Sequence, residues 1–207
     1  ILQETEQCFG RGDMPCALNL RGKYFSMWGA DHYDFHEESD PLYKSIPFFL
    51  SLRERKAYGL LFDNTCRSYF DFGATDEKVL SFGSFVGLMN YYFIYDNTPL
   101  DIISAYTRLT GTPELPPMWA LGYHQSKWSY YPDKAVYNLV ERFRGLGIPC
   151  DAVHLDHHYM ERKEGFTWDK QNFPDAEGMV RALEKDGVKT VLIVYPGVKV
   201  HPAYPVW

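Results

Sequence analysis

The chain has 207 residues, 45% hydrophobic and 17% aromatic, with a formal net charge of -6 at pH 7. That is enough apolar material for one large domain, or one complete domain and part of another, with a sizeable core. The 21 Lys and Arg residues are scattered through an acidic chain, which argues against a nucleic-acid or membrane surface and favours a small neutral ligand.

Up to about Asp96 the pattern is one of short strands: Ile46-Pro-Phe-Phe-Leu50, Tyr58-Gly-Leu-Leu-Phe62, Ser68-Tyr-Phe-Asp-Phe72 and Tyr91-Tyr-Phe-Ile-Tyr95, separated by Gly, Asn and Asp turns. This predicts an antiparallel β-sandwich. A polar cap, Pro99 in the first turn, and Ile102, Ile103, Tyr106 and Leu109 at helical spacing predict a helix over 98–110 that stops at Gly111. The proline-rich stretch Thr112-Pro-Glu-Leu-Pro-Pro117 then marks a domain boundary, giving domains at 1–112 and 113–207.

Past the boundary the rhythm becomes strand Trp119–His124, helix Asp133–Leu146, strand Ala152–Asp156, helix Asp175–Lys185 and strand Lys189–Tyr195, which implies parallel βα units. Gly145, Gly147 and Gly187 punctuate the helix ends, and Thr190-Val-Leu-Ile-Val194 has the character of a strand buried on both faces. Three strands do not close an eight-stranded barrel, so the expected fold is a sandwich followed by an incomplete TIM (β/α)8 barrel. The absence of an initiator Met and the unfinished barrel pattern make the chain look like an excerpt of a larger protein.

Cys8, Cys16, Cys66 and Cys150 show no C-x-x-C spacing, which predicts reduced thiols and a cytoplasmic setting. No apolar run has membrane-spanning length, and the opening Ile1-Leu-Gln-Glu-Thr-Glu6 lacks a signal-peptide profile. A Gly-rich phosphate loop, a G-x-S-x-G elbow and a reactive-Cys motif are all missing, so nucleotide and acyl-transfer chemistry have no support. His154, Asp156 and His158 alternate along a predicted strand and would share one face, a plausible zinc or iron ligand set and the basis of an alternative reading as a metal-dependent hydrolase.

Several collinear motifs carry a resemblance. Leu115-Pro-Pro-Met-Trp-Ala-Leu-Gly-Tyr-His-Gln-Ser-Lys-Trp-Ser-Tyr-Tyr131, Gly147-Ile-Pro-Cys-Asp-Ala-Val-His-Leu-Asp156, Phe166-Thr-Trp-Asp169, Phe173-Pro-Asp175 and Leu192-Ile-Val-Tyr-Pro-Gly-Val-Lys199 resemble the α-glucosidases of glycoside hydrolase family 31, in the family's order. Upstream, Tyr24-Phe-Ser-Met-Trp-Gly-Ala-Asp31, Asp40-Pro-Leu-Tyr-Lys-Ser-Ile-Pro-Phe-Phe49, Tyr58-Gly-Leu-Leu-Phe-Asp-Asn64 and Tyr69-Phe-Asp-Phe-Gly73 are similar to the galactose-mutarotase-like sandwich that precedes that family's barrel.

The resemblance implies retaining cleavage of α-linked glucosides from oligosaccharides without a cofactor. Two carboxylates about 5 Å apart do that chemistry, one as nucleophile and one as acid and base. In the family both come from later strands, so they are expected beyond Trp207 and residues 1–207 are expected to be inactive alone. The implied binding set is Asp156, gripping hydroxyls of the terminal glucose, Trp128, lining the same subsite, Asp31 on a sandwich loop, and Val198 as an apolar wall.

Imidazole and phenol stand where the family pattern differs. His157 occupies an aliphatic position and joins the substrate-binding candidates, while His158, Tyr195 and His201 stand where carboxylates are expected. An imidazole can donate as well as accept, so hydrogen bonding at the subsite would change sign in places. A non-catalytic carbohydrate-binding module is a further alternative. Oligomeric state is not indicated by the sequence.

Overall fold

A computed structural model describes residues 1–54, 56–195 and 197–204, and the chain falls into two compact units, Ile1–Pro113 and Glu114–Trp207, each with a core of its own. Pro196, inside the Leu192–Lys199 motif, and residues 205–207 lie outside the described residues.

The first unit contains β1 (Gln7–Gly10), β2 (Tyr24–Met27), β3 (Phe48–Arg53), β4 (Lys56–Phe62), β5 (Ser68–Phe72), β6 (Leu80–Ser84) and β7 (Tyr91–Asp96), followed by helix α1 (Pro99–Thr110). The strands form two antiparallel sheets, ordered β1-β3-β4-β7 and β2-β5-β6. Phe25, Met27, Phe49, Phe62, Phe70 and Phe72 fill the space between them. Phe49 meets the rings of Phe70 and Phe72 edge-on at centroid distances of 5.7 and 5.2 Å, pairs worth about 0.5–1.5 kcal/mol each beyond their burial.

Alternation along β3 turns its neighbours Phe48 and Leu50 to the opposite face, where they pack with Ile102 of α1. A four-residue run, Phe48–Ser51, is therefore buried on both faces. Helix α1 starts as its sequence dictates: Thr98 caps it by accepting the Asp101 N–H, with Pro99 in the first turn. Of the four apolar residues at helical spacing, Ile102 is fully buried and Tyr106 stacks on Phe48 at 4.1 Å, whereas Ile103 and Leu109 are exposed. The sandwich core also holds a charge. Glu6 is buried and accepts bonds from Ser51 Oγ and Tyr58 OH, both at 2.6 Å.

The second unit contains β8 (His124–Gln125), α2 (Asp133–Gly145), β9 (Ala152–Leu155), α3 (Ala176–Lys185) and β10 (Lys189–Leu192). The strands are parallel in the order β10-β9-β8, and among the described residues they form an open sheet. Val136 and Val140 of α2 and Met179 and Leu183 of α3 pack against Val153 and Leu155 of β9. Both helices end in the same way. Gly147 and Gly187 adopt positive φ, and paired bonds, Ile148 N–H to Phe143 O with Gly147 N–H to Arg144 O, and Val188 N–H to Leu183 O with Gly187 N–H to Glu184 O, close Schellman motifs.

Three expectations for this unit are corrected. Trp119 does not begin a strand: Met118–Leu121 forms a 3-10 turn behind Pro117, and pairing starts at His124, opposite Ala152. Lys189–Tyr195 is a strand only to Leu192, because Ile193 N–H makes the last bond to Leu155 O and β9 offers no partner after that. Nor is this run buried on both faces, since its residues are all partly exposed and Ile193 and Val194 more so. No helix among the described residues is long and apolar enough to cross a membrane.

Candidate functional site

The carboxyl ends of the three parallel strands enclose a hollow of about 400 Å³. Ser126, Lys127 and Trp128 line it from the segment after β8, His154 to Asp156 from the end of β9, and Leu192 and Ile193 from β10. Ligand sites of parallel sheets are built at this end, because side chains from adjacent strands converge there on short loops.

Asp156 follows the last residue of β9 and caps a 3-10 turn, His157–Tyr159. Its Oδ1 accepts both the His157 backbone N–H at 2.6 Å and His157 Nδ1–H at 2.9 Å. Tyr159 anchors the turn from beneath by donating its hydroxyl to Ile193 O at 2.8 Å. Trp128, 75% exposed, reaches back to the same turn, its Nε1–H donating to His157 Nε2 at 3.4 Å.

The structure thus brings Trp128, Asp156 and His157 together. His158 and Tyr195 complete an aromatic rim, with ring centroids 4.1 and 6.2 Å from His157, and Tyr131 stacks on His158 at 4.8 Å. Burial lowers the His158 pKa, and the neighbouring His157 lowers it further.

The other predicted residues are placed elsewhere. Asp31 is exposed on the loop after β2, in the first unit. Val198 is about half exposed and does not line the hollow. The expected alignment of His154, Asp156 and His158 is not kept, because extended backbone runs only to Asp156 and His158 lies in the 3-10 turn that follows. Among the described residues no three His, Cys, Asp or Glu side chains are grouped to hold a metal ion.

His154 faces a partner of its own. His124 Nε2 lies 3.2 Å from Trp119 O, which can only accept, so His124 Nδ1 must accept from His154 Nε2–H at 3.0 Å. Burial, and then His124, lower the His154 pKa. The sequence reading did not find this pair, nor Lys127, whose ammonium sits 5.0 Å over the Tyr130 ring. Nothing in spacing alone marks His124, since its partner lies thirty residues away.

Chemically, the hollow offers a fixed carboxylate acceptor, an open indole face and a rim of rings. Those are the groups that hold a pyranose, whose hydroxyls donate in the ring plane and whose C–H faces stack on aromatics.

Residues 113–207 match the model of the glycosyl hydrolases family 31 TIM-barrel domain, and residues 1–71 match that of the glycosyl hydrolase 31 N-terminal galactose mutarotase-like domain. The chain is 40% identical to alpha-glucosidase 2 of Bacillus thermoamyloliquefaciens, an alignment covering 100% of this chain and 26% of that protein. It is 34% identical to an alpha-glucosidase of Saccharolobus solfataricus, covering 98% and 29%. A Flavobacterium johnsoniae GH31 dextranase complexed with glucose superposes with a TM-score of 0.86 at 38% identity, over 96% of this chain and 24% of that one. The chain therefore spans about a quarter of the length of these relatives.

Proposed function

This chain belongs to glycosyl hydrolase family 31, and on that premise we propose that it forms the glucose-binding wall of a retaining α-glucosidase acting on terminal α-linked glucose. One observation carries the reading. Asp156 stands at the carboxyl end of β9 with Oδ1 tied to His157, which leaves Oδ2 to accept sugar hydroxyls beside the open face of Trp128. A relative solved with glucose bound supports the same ligand class.

Binding is not yet hydrolysis. A retaining mechanism needs two carboxylates about 5 Å apart. Asp156 is the sole carboxylate lining the hollow among the described residues, so residues 1–207 bind an α-glucoside without turning it over.

Calorimetric titration with maltose, run beside a nitrophenyl α-glucoside assay, tests this. Heat of binding without product is expected, with Asp156→Asn weakening affinity about tenfold, the effect of losing a charge-assisted bond. Equal affinity in the Asp156→Asn variant would remove the proposed role of Asp156. Turnover by the 207 residues would show that the chain carries its own catalytic carboxylates.

A further inference from the structure

We propose that His157 is the positioning residue of this site, holding the ring of Trp128 and the carboxylate of Asp156 as one hydrogen-bonded unit; the inference rests on the glucose reading of Asp156. An indole N–H only donates, so His157 Nε2, 3.4 Å from Trp128 Nε1, must accept. The imidazole proton then lies on Nδ1, 2.9 Å from Asp156 Oδ1, where a carboxylate can only accept. A single neutral tautomer satisfies both contacts. The His157 side chain is 12% exposed and that of Asp156 27%, so water has little room to replace the bond between them.

Each partner gains something specific. Two bonds from one residue hold Asp156 Oδ1, which leaves Oδ2 free for a ligand. Trp128 is mostly exposed, and its bond to His157 restrains a ring that would otherwise lose freedom when sugar stacks on it. Ordering a side chain costs about 0.5–1.5 kcal/mol on binding, a factor of two to ten in affinity. An aliphatic side chain at 157 would hold neither group.

The test combines nitrogen NMR of imidazole-labelled protein with maltose titration of the wild type, His157→Gln, His157→Leu and Asp156→Asn. The His157 resonances, identified by their loss in His157→Gln, are expected to report the Nδ1–H tautomer. Gln can accept from Trp128 and donate to Asp156, so it should keep affinity within about threefold, whereas Leu should lose about tenfold. An Nε2–H tautomer, or a Leu variant that binds as tightly as the wild type while Asp156→Asn does not, overturns the proposal. If the wild type binds no sugar, the glucose reading fails by itself, and positioning is decided by the indole Nε1–H resonance of Trp128, identified by its loss in Trp128→Phe. A resonance displaced in His157→Leu and kept in place in His157→Gln supports it, and one identical in all three proteins overturns it.

Discussion

Ile102 of α1 occupies the space that a side chain on Gly59 of β4 would need: a Cβ there would lie 2.7 Å from Ile102 Cγ2 and 2.9 Å from Phe48 Cε2. The helix can therefore settle on the sheet only over a glycine. Gly59→Ala should push α1 away from Phe48 and cost about 1–3 kcal/mol, the usual penalty of overpacking a filled core. Urea unfolding of the two proteins measures it. A midpoint unchanged by the substitution would mean that α1 does not pack as described.

Gly147 makes a contrasting case. No atom lies within 4 Å of where its Cβ would be, yet its φ is +65° and it closes the Schellman motif of α2. Gly147→Ala should cost about 1 kcal/mol from backbone strain alone, without a steric term. Comparison by thermal melts with Gly145→Ala, where φ is not positive and space is also open, separates the two effects, because that change should be neutral or stabilising.

Much of this was legible in the chain. Pro99 with a capping Thr98, and glycines after α2 and α3, set their helix ends by local chemistry that acts within four residues. The hydrophobic runs at β3, β4, β5 and β7 were visible as well. β1, β2 and β6 were not read as strands, since Gln7–Gly10 and Tyr24–Met27 are four residues long and Leu80–Ser84 includes Gly83. The strand expected at Trp119 failed because strands need partners: β9 begins only at Ala152, the bonds towards it start at Tyr123, and Met118–Leu121 behind them curls into a 3-10 turn. The site divided in the same way. Asp156 and Trp128 carry family motifs, but the bonds that His157 makes to both depend on the turn after β9, which no periodicity announces.

Glu6 gives the sandwich a measurable acid sensitivity. Burial raises its pKa, but bonds from Ser51, Tyr58 and the Gln3 N–H outweigh burial and leave the value below the ordinary 4.5. Asp71 behaves alike, burial being outweighed by Thr75 and the N–H groups of Gly73, Ala74 and Thr75. Both bind fewer protons folded than unfolded, so their stabilisation is complete above the unfolded values and is lost as pH falls through the folded ones. Ser51→Ala should cost about 1.5–3 kcal/mol at pH 7, the worth of a bond to a charged group, and clearly less at pH 3. Urea midpoints across that range decide it. A cost independent of pH would separate Ser51 from the charge on Glu6.

The second unit should be sensitive in a higher window, because His154 is held neutral. Its pKa is lowered from 6.5 first by burial and then by His124, which already spends Nε2–H on Trp119 O and Nδ1 on His154. A proton entering this pair must either break the contact between the rings or charge a partly buried imidazole. The unfolded chain binds that proton more readily, so stability is full above 6.5 and declines as pH falls below it towards the folded value. His158 shifts in the same direction and contributes to the same slope. His154→Gln keeps a donor for His124 and removes one titrating group, so the loss of thermal stability between pH 7.5 and 5.5 should be smaller than in the wild type. Melts followed by circular dichroism at the two pH values provide the comparison. A slope as steep in the variant as in the wild type would assign the acid sensitivity to His158 instead of His154.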